Sequence, residues 1–470
     1  MSKAAPTLSA RIRHAIPALR PPLARPAPSP PQLPIVGHLP SSGLARLDLL
    51  LRLAIELGPV VRFELPFVTA HLLSSPDHVE RVLVKEHRLF SKKTRGYDQL
   101  RTFLGNGLVT SEGDFWLRQR RIAQPAFHKQ RIAGFAETFV RCTNELATRW
   151  EDDARRGRTI DVHGDMMRLT LRIASLTLLS ADTDESASEV GAAVDFMLHE
   201  SVSRINNPFR LPDSVPTPAN LRARKAAETL DRIVLDIIAT RRKGKKREDD
   251  LLQMLLEAKD EETGEGMTDQ QLRDEVMTMF LAGHETTANA LTWTFILLSR
   301  FPQIARDLAT EASEVLGGRD ARADDAARLE LSRRVLSESM RLYPPVWVIG
   351  RSPEEDVELD GYTIPQGSLL FVSPWVTHRL PSLWEDPEGF DPDRFSPERS
   401  KSQHRYQYFP FSAGPRMCIG AAFAMLEGQL VLSTLARRFR VDLMPGHPIV
   451  PEPLITLRPQ GAVPARVVVR

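Results

Sequence analysis

From Thr268 to Arg300 the sequence sustains helical apolar periodicity without a proline. Thr268-Asp-Gln-Gln271 supplies a capping-box start. A helix of that length spans about 50 Å, so it must cross the interior of a large molecule and be covered on every side. Its middle, Ala282-Gly-His-Glu-Thr-Thr287, is a poor helix former: a glycine costs about 1 kcal/mol relative to alanine. Gly283 leaves room beside the helix, and the neighbouring hydroxyl and carboxylate of Thr286 and Glu285 are able to orient water and relay protons. Taken alone, the segment reads as a kinked core helix with Thr286 bonding back to its own chain.

The rest of the chain can supply the required cover. With 470 residues, 42% of them hydrophobic, it has ample material for a core and is not a disordered chain. Lys and Arg number 62 against 60 Asp and Glu, a balance that argues against nucleic acid or an anionic membrane as main partner. Residues 59–75 read as a strand pair, 76–345 mostly as successive amphipathic helices, Ser368–Pro374 and Thr456–Arg470 as strands again. The βαβ rhythm of a doubly wound sheet is absent, so the expected class is α+β, mainly α.

Residues 1–40 hold no acid, and prolines crowd the stretch from Pro17. We expect 1–30 to be a flexible basic leader and 31–470 one large helical domain with small β-sheets. Neither a signal sequence nor a run of about 20 apolar residues is present, so no transmembrane anchor is expected, and a soluble, cytoplasmic protein is. Asn206–Pro218 reads as a proline-broken connector or a lid, and Arg241–Arg247 as a solvated interhelix loop.

Two cysteines cannot build a disulfide scaffold or a four-cysteine metal site. Cys142 sits in an ordinary helix and fits a buried core residue. Cys418 lies in FPFSAGPRMCIGAAFAMLEGQLVL, residues 409–432, where helical periodicity begins just after it. Helix N-terminal amides, the helix dipole and Arg416 two residues away favour a thiolate. Gly414 and Gly420 would let the backbone approach something flat and bulky.

Phe411-x-x-Gly414-x-Arg416-x-Cys418-x-Gly420 resembles the haem-binding loop of the cytochrome P-450 family, the haem-thiolate monooxygenases. The resemblance extends over roughly residues 30–470. It implies haem b as cofactor, Cys418 as proximal iron ligand, and a thiolate that promotes O–O cleavage. The Ala282–Thr287 segment is similar to the family's distal oxygen-binding groove, which implies that Glu285 and Thr286 support proton delivery to dioxygen, with His284 pointing away. Glu338-Ser-Met-Arg341 resembles the family's Glu-x-x-Arg pair, completed by Arg394 into a structural triad. Trp116 and Arg120, at i and i+4, share a helix face that can hold an anion. With Arg351 and Arg416 they match haem-propionate donors.

The function so implied is insertion of one oxygen atom from O2 into an apolar substrate: a carotenoid, terpenoid, fatty acid or steroid. Ala282, Val346 and Val348 are candidate pocket walls, although plain core packing would also explain them. Electrons would come from separate proteins, a ferredoxin and its reductase or a similar donor, with Arg437, Arg438 and Arg440 as a candidate docking set or a solvated helix end. The alternatives are a haem-thiolate isomerase or peroxygenase, which turns over without NADPH, and a non-catalytic haem sensor.

Overall fold

The computed structural model describes residues 25–31, 47–65, 68–182, 187–207, 211–244, 250–259 and 264–470. Most of the expected leader, residues 208–210 of the Asn206–Pro218 connector and residues 245–247 of the basic run lie outside the described residues; Arg241, Arg242 and Lys243 are helical rather than part of a solvated loop, and the Arg241 side chain is buried against Asp250 at 2.6 Å. The helices of ten residues or more are α1 (Leu47–Leu57), α2 (Arg95–Leu104), α3 (Gly113–Ala123), α4 (Ala136–Arg155), α5 (Val162–Leu178), α6 (Ala187–Asn206), α7 (Pro218–Lys243), α8 (Asp269–Arg300), α9 (Pro302–Leu316), α10 (Glu330–Leu342) and α11 (Ala421–Arg438).

The long segment is one unbroken helix, α8, and its start is chemically fixed. Thr268 Oγ1 accepts the Gln271 N–H at 3.2 Å and Gln271 Oε1 accepts the Thr268 N–H at 2.8 Å, so two orphan amides of the first turn satisfy each other's side chains. Nearly every residue of α8 from Leu272 to Leu298 is buried, polar ones included, so the helix is enclosed by its neighbours. Helix α5 lies along it, α7, α10 and α11 also pack against it, and α4 covers α5 and α11. The main core gathers these helices, with Trp150, Phe280, Leu291, Trp293 and Leu430 almost inaccessible.

The largest sheet forms separate lobes of the core, whereas the strands near the end of the chain join the main helical core. β1 (Val60–Leu65) and β2 (Val68–Leu73) make the expected antiparallel pair, Val60 opposite Leu73. β2 then pairs in parallel with β8 (Leu369–Val372), which runs antiparallel to β5 (Ile349–Pro353), with β3 (Phe90–Ser91) outermost. A second sheet has the order β4 (Thr159–Asp161), β12 (Pro464–Val469), β9 (Phe439–Leu443). Two hairpins complete the set: β6 (Val357–Leu359) with β7 (Tyr362–Ile364), and β10 (Pro451–Pro453) with β11 (Leu457–Pro459). The second hairpin packs against α8. The α+β, mainly α expectation holds. No helix among the described residues is long and apolar enough to cross a membrane.

Candidate active site

Helix α8 is buried from Leu272 to Leu281 and from Thr287 to Leu298. Between those stretches Ala282 is exposed and Gly283 and Thr286 are half-buried. Residues at i, i+1 and i+4 share one helix face, so an accessible space adjoins the middle of an otherwise enclosed helix. The helix does not break there. Thr286 Oγ1 donates to the Ala282 carbonyl at 2.8 Å, Thr287 Oγ1 to that of Gly283 at 3.2 Å, and Thr170 Oγ1 of α5 to that of His284 at 2.9 Å. The back-bond allowed by the bare sequence is therefore present in a continuous helix.

Glu285 and His284 are buried beside this face. His284 is neutral, its pKa lowered to about 4 by burial. Burial pushes the Glu285 carboxyl up to about 6, against the opposing pull of the Thr456 hydroxyl, which donates to its Oε1 at 2.6 Å, and of Arg458. Neighbours in sequence thus meet different surroundings: Thr286 touches the space, whereas Glu285 is held by Thr456.

The cysteine loop is built on a close backbone crossing. Gly414 has φ +69°, and a Cβ there would stand 2.0 Å from the Leu83 carbonyl oxygen. That glycine is required by the chain's own approach to Leu83, a correction to the idea that it makes room for a flat group. Gly420, the residue before α11, has no such crowding, its nearest neighbours being Phe127 Cε1 at 3.8 Å and Cys418 Sγ at 4.0 Å. The Cys418 N–H donates to Phe411 O at 2.9 Å, closing the loop.

Cys418 is accessible, but desolvation pushes its thiol up, against the thiolate expected from its place before a helix, while the Gly420 N–H and Arg120 oppose the rise. The cation beside the sulfur is Arg120, whose Nη1 donates to Met417 O at 3.0 Å. Arg416 is not the neighbour the sequence suggested. The short helical turn Gly414–Arg416 swings its guanidinium to Ser111 O at 2.8 Å, to Glu112 at 3.0 Å and over the Trp116 ring at 3.9 Å.

Arg351 is buried on β5, with Nη1 bonded to Gly350 O at 2.8 Å and 3.5 Å from the Tyr97 hydroxyl. Sequence reasoning missed two members of this neighbourhood, Lys92 and Tyr97. The Lys92 ammonium is buried, donates to Val109 O at 2.7 Å and lies 5.1 Å from the Tyr97 ring centre. Burial, then Arg351 and Arg416, hold its pKa well below the lysine range. Burial also lowers Arg416 to about 10. Nothing in Ser91-Lys92-Lys93-Thr94 distinguishes one lysine from the other. Arg416 feels both Arg351 and Arg120, Lys92 feels Arg351 and Arg416, and Glu112 is the carboxylate that acts on both Lys92 and Arg416. Such a donor set suits a guest carrying carboxylates.

The expected triad is brought together. Glu338 accepts from Arg341 Nε at 2.7 Å and Nη2 at 2.8 Å, from Arg394 Nε at 3.3 Å and from the Asp391 N–H at 3.0 Å. Arg341 Nη1 also donates to His378 O at 2.9 Å, and His378 Nε2 accepts the Phe409 N–H at 3.0 Å. The triad is thereby tied to the segment that enters the cysteine loop. Val346 packs against the strand core beside Ile349 and Val372, and Val348 against the cluster around Trp347. The arginines proposed for docking are engaged internally: Arg438 with Glu151 at 2.5 Å, Arg440 with Asp442 at 2.8 Å, and Arg437 with Arg319 O at 3.0 Å.

A long helix with an accessible middle, an accessible cysteine in a closed loop and a cluster of buried cations suit a guest that carries carboxylates and takes a thiolate ligand. The family model for cytochrome P450 matches residues 27–463. The chain is 38% identical to cyclooctatin synthase of Streptomyces melanosporofaciens, over 91% of this chain and 93% of that one. It is 34% identical to pentalenene oxygenase of Streptomyces avermitilis, over 91% and 94% respectively. Among solved structures it resembles a cytochrome P450DA haem domain, with a TM-score of 0.86 at 28% identity over 95% of this chain and 98% of that one. The chain belongs to the cytochrome P450 family and is a P450 monooxygenase.

Proposed function

We propose that residues 31–470 form a haem domain in which haem b is held through Cys418 on its iron and through Trp116, Arg120, Arg351, Arg416 and Lys92 at its propionates. One observation carries the reading: the accessible face of α8 at Ala282, Gly283 and Thr286 coexists with an accessible Cys418 in its closed loop and a surplus of buried cations. When bound, the haem supplies dioxygen activation, inserting one oxygen into substrate and releasing the other as water. The protein contributes the rest. Thr286 offers a hydroxyl at the accessible face, and Glu285, with an affinity for protons near neutrality, supplies and recovers a proton. Glu338, Arg341 and Arg394 act structurally, fixing the entrance to the cysteine loop.

The substrate we infer is a terpenoid skeleton, narrowing the wider set of carotenoids, fatty acids and steroids. The support is the naming of two relatives after cyclooctatin and pentalenene. Ala282, Val346 and Val348 are the proposed apolar walls. Electrons would come from a ferredoxin and its NAD(P)H-dependent reductase, in the cytoplasm. Arg437, Arg438 and Arg440 remain the proposed docking set, Arg440 being 52% exposed in its pair with Asp442.

The reduced, carbon-monoxide-treated protein should show the absorption of thiolate-ligated haem, and Cys418→Ala should abolish it. A folded wild-type protein that binds haem without that absorption overturns the assignment. Product analysis after incubation with cyclic terpenes, a ferredoxin, its reductase and NADPH tests the substrate class. Oxidation that proceeds equally without NADPH would favour the peroxygenase alternative.

A further inference from the structure

Helix α3 meets the cysteine loop at two points. In its last turn Arg120 Nη1 donates to Met417 O at 3.0 Å. At its start Glu112 Oε1 accepts from Arg416 Nη2 at 3.0 Å, and the Ser111 carbonyl accepts from Arg416 Nη1 at 2.8 Å. Glu112 and Arg120 are separated by about 12 Å of helical rise, yet their contacts fall on adjacent residues of the loop.

Glu112 stands where a helix is ordinarily capped. Its carbonyl accepts the Trp116 N–H at 3.2 Å and so opens α3, and Gly113 follows at φ +60°. An acid at this position usually turns its carboxylate onto the first free amides of the helix. The Glu112 side chain makes no such capping bond. It reaches instead to Arg416, 304 residues further along the chain.

Stability does not explain that choice. The Glu112 side chain is 29% exposed and that of Arg416 14%, and an ion pair within reach of water stabilises little. What the pair fixes is direction. Ser111 and Glu112, neighbours in sequence, hold two nitrogens of one guanidinium, and the Trp116 ring centre lies 3.9 Å from its central carbon. A planar fork held at two nitrogens and on one face has its orientation set, and its other N–H groups stay available to a carboxylate. Glu112 thus joins Trp116, Arg120 and Arg416, which come from two distant segments, into one arrangement.

We propose that Glu112 is a positioning residue for the cofactor: it braces the Arg416 guanidinium between Ser111 and Trp116 for a haem carboxylate and ties the start of α3 to the cysteine loop. The inference rests on the haem reading above and adds to it a residue that acts on the guest through Arg416.

The test uses the full haem-loaded chain, and its readout is the rate of haem loss to a scavenging apoprotein rather than turnover. Glu112→Ala removes the brace and should lose haem about tenfold faster, the scale of one charge-assisted contact. Glu112→Gln keeps an acceptor oxygen at the same reach and should stay within about threefold of wild type. In an Arg416→Met background Glu112→Ala should add nothing, because the guanidinium it orients is gone. An unchanged rate in Glu112→Ala overturns the brace. So does Glu112→Gln losing haem as fast as Glu112→Ala, or an effect of Glu112→Ala that is the same with and without Arg416. The carbon monoxide absorption of the wild type judges the haem-thiolate reading separately: a chain that shows it, yet loses haem at one rate whatever stands at position 112, sinks this inference alone.

Discussion

Replacing Glu338 by alanine should be among the most destabilising single changes in the α10 region, and its cost can be worked from the contacts. The carboxylate accepts three guanidinium N–H groups and the Asp391 amide. Arg341 is wholly inaccessible and Arg394 is 4% exposed, so neither cation can recover water. After truncation Arg341 keeps the carbonyls of His378, Pro387 and Gly389, and Arg394 keeps that of Asp386. Their charges then face dipoles only. Removing one partner from such a buried set costs about 3–5 kcal/mol. With a urea dependence of about 3 kcal/mol/M, the midpoint should fall by roughly 1–1.7 M. The assay is urea unfolding followed by circular dichroism on wild type, Glu338→Ala, Arg341→Leu and a Glu338→Leu, Arg341→Leu double variant. The double variant should cost less than the summed singles by about 2 kcal/mol, since it leaves fewer uncompensated charges. A cost for Glu338→Ala below about 1 kcal/mol, or strict additivity, would refute the reasoning.

Three further outcomes are expected. Gly414→Ala imposes a side chain at φ +69° with its Cβ against the Leu83 carbonyl; it should destabilise by about 3 kcal/mol or more, read as a lowered thermal midpoint and reduced haem content. Glu275 is buried with a pKa raised to about 8 by desolvation, so the folded state keeps a proton that the unfolded state releases. Stability should therefore fall as pH rises from about 4.5 to 8, by at most about 1.4 kcal/mol per unit, and urea midpoints of Glu275→Gln should be flatter across that window. Lys92→Met should speed haem loss to a scavenging apoprotein by about tenfold, the loss of one charge-assisted contact; an unchanged rate would remove Lys92 from the cofactor's neighbourhood.

What was legible in the sequence was written in local spacing. The Thr268 capping box, the length of α8, the β1–β2 pair and the Glu338–Arg341 contact each depend on residues within one element or one turn, where geometry follows from periodicity. Arg416 shows where that logic stops: two residues from Cys418 in sequence, it is turned by a short helical turn toward Glu112. Lys92 and Tyr97 join the cation cluster only because β3 and β5 pair across most of the chain. Thr456 reaches Glu285 over a separation of 171 residues. No periodicity encodes such meetings; they are products of packing.

The parallel seam between β2 and β8 has a temporal consequence. A strand made near residue 70 must wait for residues 369–372 before its second edge is covered. During synthesis that edge offers unpaired amides and carbonyls to any passing chain, and parallel pairing of such distant partners is slow. The nascent chain is thus most vulnerable to misassociation for the greater part of its translation, and chaperone supply should govern its yield more than the stability of its finished core.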